Sequence, residues 1–173
     1  MNQQINLLLN KIVDQNKAAE IIQLWKREGQ KIVFTNGCFD ILHKGHIMYL
    51  SKSADLGDKL VIAVNTDVSV KQQNKGENRP INKQEDRLLL LSALQFVSLV
   101  FLFNESTPLQ AILELKPDVL VKGADYDENQ REKTEKNYIV GSNEILSMGG
   151  EVKTIRLEEG YSSTSIINRF NSK

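Results

Sequence analysis

With one cysteine in 173 residues, the sequence cannot close a disulfide within itself. It also lacks net charge: 22 Lys and Arg balance 22 Asp and Glu, so no global basic field draws in nucleic acid or an acidic membrane. Any anion site must be local. Neither a basic-plus-apolar leader nor an apolar run long enough to cross a bilayer is read, which points to a cytoplasmic protein with no nucleic-acid or membrane partner. Histidine is almost missing too. The two that exist, His43 and His46, stand three apart in "TNGCFDILHKGHIMYL", directly after an apolar run.

At this length one domain with a single sizeable core is expected, and two would be crowded. Residues 1–30 carry Ile5, Leu8, Leu9, Ile12 and then Ala18, Ile21, Ile22, Trp25 at helical spacing, with Gly29 as a C-terminal stop. They read as one or two lead-in helices packed on or beside the domain of residues 31–173. Apolar runs at 31–37, 59–65, 97–102 and 118–122 read as strands, with a weaker one at 151–155. Helical segments alternate with them: 45–53, a stretch through Leu94 opened by a capping box of Asn82 and Glu85, one capped by Thr107 with Pro108 at its first position and ending before Pro117, and 162–170. Residues 71–82 read as a long polar loop and 127–137 as an exposed charged insertion. The alternation implies an α/β fold, a Rossmann-like open parallel sheet with helices on both faces.

In such a sheet, ligands bind beyond the carboxyl ends of the strands, and the turn after the first strand is a preferred place. Gly37 permits a sharp turn there, and Gly45 removes a side chain where a ligand comes close. A helix starting near Gly45 offers N–H groups to an anion, on which His43 and His46 can converge. This suits a phosphoryl group. Two other readings compete: satisfied structural histidines, and a zinc pair, which needs three or four protein ligands that a single cysteine does not help supply. Cys38 reads as a small packed turn residue rather than a nucleophile.

"GCFDILHKGH" resembles the G-x-F-D-x-x-H-x-G-H signature of the cytidylyltransferase-like nucleotidyltransferases. "NTDVSVKQQNKGENRPIN", "EDR", "PDVLVKGADY", "GGEV" and "EGYSST" follow in the order found in D-glycero-β-D-manno-heptose 1-phosphate adenylyltransferases, where this domain occurs alone or behind a sugar kinase. The likeness covers about residues 16–170; the 127–137 insertion and Ser163, in place of the more usual Thr, depart from it.

The resemblance implies attack by a sugar 1-phosphate on the α-phosphorus of ATP, with Mg²⁺ bridging the triphosphate and no dedicated metal cage in the protein. It implies that His43, His46 and Arg87 act on the reacting phosphates, although an ordinary surface ion pair competes for Arg87. The nucleotide would be bound by Thr35, Asn36, Gly37, Cys38, Phe39 and Gly45, by Lys122, Gly123 and Asp125 at a strand end, and by Ser162, Ser163 and Thr164, which also suit a helix N-cap. Asp40 would orient the loop or touch the substrate, with a turn cap competing, and Lys71, Lys75 and Arg79 would lie in the loop that approaches the sugar phosphate, with a solvated charge run competing for Lys75. A homodimer is implied as well. The alternatives are a cytidylyltransferase acting on glycerol 3-phosphate, whose R-T-E-G-I-S-T-T-like ending "RLEEGYSST" lacks, and a non-catalytic nucleotide-binding module.

Overall fold

The computed structural model describes residues 3–73, 79–158 and 160–171. Among them, apolar β-branched and aromatic runs form β1 (Ile32–Gly37), β2 (Lys59–Asn65), β3 (Leu99–Phe103), β4 (Val119–Gly123) and β5 (Glu151–Ile155). All neighbours pair in parallel, in the order β3-β2-β1-β4-β5, so the open parallel sheet expected from the alternation is present. The helices are α1 (Gln3–Leu9), α2 (Gln15–Arg27), α3 (Lys44–Ala54), α4 (Asp67–Gln72), α5 (Gln84–Ser92), α6 (Leu109–Leu115), α7 (Ser142–Ser147) and α8 (Ser163–Asn171).

Parallel strands buried on both faces must be apolar on both, and the period-2 alternation divides them into two cores. Ile32, Phe34, Val61, Ala63, Phe101 and Leu120 pack with Ala18 and Ile22 of α2, Ile112 of α6 and Ile145 of α7. Val33, Leu60, Ile62, Val64, Val100 and Val121 pack on the other face with Tyr49 and Leu50 of α3 and Leu88 and Leu91 of α5. The lead-in segment is therefore part of the fold. Its link also pairs beside β3: the Val100 amide donates to the Lys11 carbonyl (2.8 Å) and the Val13 amide to the Val100 carbonyl (3.1 Å).

Several local expectations change. Lys83, not Asn82, precedes the first turn of α5 and makes no side-chain cap, because Asn82 is drawn to Asp40 instead. Pro108 holds the N-cap position of α6 without a side-chain bond, which leaves Thr107 facing a cavity. The six-residue helices α4 and α7 are too short to show a 3.6-residue period, and α4 takes the first two residues of the supposed loop. The 127–137 insertion is largely exposed as expected, yet Glu128 accepts from the Thr154 amide (2.6 Å) and hydroxyl (2.9 Å), fastening it to β5.

Because Ile22 is 1% exposed against the sheet, Ile22→Ala should cost about 2–4 kcal/mol in urea unfolding at unchanged m-value. A loss below about 0.5 kcal/mol, the range of ordinary surface substitutions, would detach α2 from the core.

Candidate active site

The last residues of four neighbouring strands settle what lies at the carboxyl edge. Counting by two from the core residues of the α2 face puts Phe103 of β3, Asn65 of β2, Asn36 of β1 and Lys122 of β4 in a row on that face. They line a cavity of about 260 Å³, joined by Gly37, Cys38, Gln73, Ser106, Thr107 and Tyr126. The same alternation sends Thr35 the opposite way. It is fully buried and hydrogen-bonded to the Tyr49 hydroxyl (2.7 Å), so its side chain holds α3 to β1 and does not face this cavity.

The chain then crosses the edge of the sheet to α3. His43 is the N-cap residue, and its Nδ1 accepts from the His46 amide (3.3 Å). A neutral imidazole that accepts through Nδ1 carries its proton on Nε2, so His43 presents an N–H donor outward. The two imidazoles stack with centroids 3.8 Å apart and planes at 19°, and Phe39 meets His46 edge-on at 5.3 Å. Burial, then the neighbouring His43, pull the His46 pKa down to about 4, against a weak opposing effect of the Ile41 backbone; burial lowers His43 as well. Both rings are therefore neutral at pH 7. A second cavity, about 430 Å³, opens between this pair and α8, lined by His43, Lys44, Tyr161, Ser165 and Arg169. Gly45 is needed here for packing: a Cβ would come within 3.1 Å of the His43 ring and of Tyr161 Cβ.

Two buried charges hold the loop between these cavities. Asp40, with its side chain fully buried, accepts from the amides of Ile81 (2.7 Å) and Asn82 (2.9 Å) and pairs with Arg79 Nε (2.6 Å). Arg87, also fully buried, donates to the Cys38 carbonyl (2.6 Å), the Asn82 carbonyl (3.2 Å) and Asp67 Oδ1 (2.7 Å). The residues expected to meet phosphate or sugar directly at Asp40, Arg79 and Arg87 are thus occupied inside the protein, because a sealed charge keeps only the partners that compensate its lost hydration. Asp40 is not a local turn cap, because the amides it accepts from lie 41 and 42 residues further on; it orients its loop against residues 79–82.

Of the remaining expected residues, Asn36, Gly37, Cys38 and Lys122 line the first cavity, and His43 lines the second. Phe39 is buried over Gly37 and His46. Gly123 has Asp125 Oδ1 2.6 Å from where its Cβ would stand, and Asp125 itself is exposed. Ser162 caps α8 by accepting from the Ser165 amide (3.0 Å), Ser163 donates to the Ile41 carbonyl (3.3 Å), and Thr164 is exposed. Lys71 is exposed on α4, and Lys75 lies outside the described residues. Sequence reasoning missed Asn65, Asp67, Gln73, Lys44 and Arg169. A signal existed for Arg169, which is four residues from Ser165 on one helical face.

Residues 34–169 match the cytidylyltransferase-like family. The chain is 47% identical over 161 residues to the bifunctional protein HldE of Gluconobacter oxydans, covering 93% of this chain and 32% of that protein. It is 44% identical over 162 residues to the HldE of Proteus mirabilis, covering 94% and 32%. It thus spans about a third of the length of these relatives. Among solved structures, the lipopolysaccharide core biosynthesis protein from Thermoplasma volcanium is similar at 34% identity and a TM-score of 0.57, covering 77% of this chain and 99% of that one. The pantoate-β-alanine ligase of Francisella tularensis, at 16% identity and a TM-score of 0.57 over 94% of this chain and 78% of its own, shares the fold.

His46 sets a pH dependence whose sign is fixed. Between its ordinary pKa of 6.5 and about 4, the unfolded chain binds the proton that the folded one refuses, so stability is complete above 6.5 and falls as pH drops through this window. The slope from this group approaches ~1.4 kcal/mol per pH unit. Denaturant unfolding at pH 7 and pH 5 should show a smaller loss for His46→Ala than for the parent; equal losses would show that the ring titrates normally.

Proposed function

The chain belongs to the cytidylyltransferase-like family, and from that premise we propose that it is an adenylyltransferase joining ATP to D-glycero-β-D-manno-heptose 1-phosphate. The products are ADP-heptose and pyrophosphate. The observation that carries this reading is the stacked, neutral imidazole pair at the head of α3, whose His43 lines a cavity bearing Lys44 and Arg169, while Gly37 and Cys38 of the loop leading to it line a separate polar cavity bearing Lys122. Two phosphorylated partners can approach one loop from two cavities that share no lining residue. The sequence segments resembling the heptose branch support this choice of substrate.

In this mechanism the triphosphate lies against α3 and α8, and the acceptor phosphate comes from the side of Gly37, which gives Asn36, Gly37, Cys38 and Lys122 to the acceptor and not to the nucleotide that the resemblance implies for them. A phosphate oxygen of the sugar forms a bond to the α-phosphorus while the bond to the bridging oxygen of pyrophosphate breaks. His43, through Nε2–H, and His46 donate to oxygens whose charge grows as this happens; being neutral and fixed by stacking, they need no rearrangement at the moment of transfer. Lys44 and Arg169 balance the triphosphate charge, and Ser165 adds a hydroxyl. Arg87 and Asp40 act as positioning residues, because they grip the loop from inside.

The donor set at the histidines fits phosphate oxygens, and the described residues include no cluster of three His, Cys, Asp or Glu placed for a metal. Mg²⁺ belongs to the proposal as the companion of the triphosphate, where it would offset charge on the phosphates. The proposal includes a homodimer, and a light-scattering mass of one 19.6 kDa chain would remove that part.

Pyrophosphate release measured side by side should give a higher kcat/KM for ATP with the heptose 1-phosphate than for CTP with glycerol 3-phosphate; the reverse order would overturn the substrate assignment and leave nucleotidyl transfer standing. His46→Ala should lower kcat by roughly 10²–10³ with melting at pH 7 shifted only a few degrees, and retained turnover would remove the histidines from the mechanism.

A further inference from the structure

We propose that the cavity beside Gly37 recognises the hydroxyl groups of its acceptor through the carboxamide oxygens of Asn36, Asn65 and Gln73. This rests on the reading of that cavity as the sugar-phosphate site, and it names the groups that select a polyhydroxylated acceptor over an apolar one of similar size.

The case begins with hydrogen-bond supply. Asn65, 4% exposed, spends its amide N–H on the Ser69 hydroxyl (2.9 Å), which turns Oδ1 toward Cys38 Sγ at 3.7 Å. Gln73 Oε1 stands 3.3 Å from the same sulfur. A thiol has one proton and donates it weakly, whereas each carboxamide oxygen has two lone pairs. One S–H therefore cannot satisfy both oxygens. Asn36 adds a buried Oδ1 with no partner among the described residues. The cavity, about 260 Å³, thus holds carboxamide oxygens to which the described residues offer one weak S–H.

A phosphate can meet the amide N–H groups of these side chains but not their oxygens, since its own oxygens also accept. Hydroxyl groups donate, and several of them on one carbon chain can reach acceptors that come from β1, β2 and the end of α4. Lys122 is the one charged side chain among the described residues lining the cavity; it stands beside Asn36, whose carbonyl accepts from its Nζ (3.3 Å), and offers a charge for the phosphate end. An acceptor lacking hydroxyls would strip water from the three oxygens and give nothing back, which is how polar sites reject apolar analogues. Cys38 suits its place because a weak S–H is displaced at little cost when a sugar hydroxyl arrives.

Gln73 is exposed at the C-cap of α4, so Gln73→Leu leaves the fold intact, and Asn36→Ala tests a second oxygen at another site. With ATP and heptose 1-phosphate, each variant should raise the KM of the sugar phosphate about five- to tenfold, as expected for one neutral hydrogen bond, with the KM of ATP unchanged within twofold. Among singly deoxygenated sugar phosphates, one that the parent protein binds more weakly should be bound by Gln73→Leu as well as its hydroxylated counterpart. Unchanged sugar KM in both variants, or an equal rise in the KM of ATP, would overturn the inference while leaving adenylyl transfer in place. If the parent protein adenylates no sugar 1-phosphate, the reading of the reaction fails, and thermal shifts decide the cavity by themselves. Stabilisation by heptose 1-phosphate that Gln73→Leu abolishes would support the inference; equal shifts or none would overturn it.

Discussion

A guanidinium shut away from water stays charged only if acceptors surround it, and Arg87 finds them on three separate stretches of chain: the loop after β1, the segment before α5, and the first residue of α4. Losing one member of such a buried set costs about 3–5 kcal/mol. Asp40 repeats the arrangement with opposite sign 2 residues after Cys38. Asn82 serves both, giving its carbonyl to Arg87 and its amide to Asp40. The histidine loop, residues 79–82 and α4 consequently move as one block, and both cavities inherit their shape from it.

That block explains why the charged residues nearest the reaction are so unequally used. Cations buried beneath the loop fix geometry, while those at its rims, Lys44, Arg169 and Lys122, remain at the cavity surfaces. The backbone of Phe39 accepts a left-handed φ of 48° within this frame, an uncommon state for an aromatic residue. It is held there by the ring's contacts with Gly37 and His46.

The strands were legible because residues buried on both faces leave unbroken apolar runs, and the histidine pair because two scarce residues met at a strand end. Thr35 was misread for want of a phase: alternation says that it opposes Asn36, but only the helix on each face says which side carries a ligand. Asn65 and Lys122 lie near the carboxyl ends of strands on either side of β1, and their meeting with Asn36 depends on the order β3-β2-β1-β4, which no local pattern encodes. Arg87 misled for a different reason. Arginine is a surface residue by default, and nothing in "EDR" tells that three acceptors far apart in sequence will enclose it. The helices α4 and α7 escaped because six residues hold less than two turns.

The pairing of residues 11–13 with Val100 bears on the order of events during synthesis. β3 is an outer strand, and its bare edge invites pairing with other chains. A ribosome delivers the chain from its amino end, so the segment that covers part of this edge has emerged some 90 residues before the strand that needs it. β3 then meets its cover as soon as it docks on β2, and the interval in which its edge could join a neighbouring nascent chain is short.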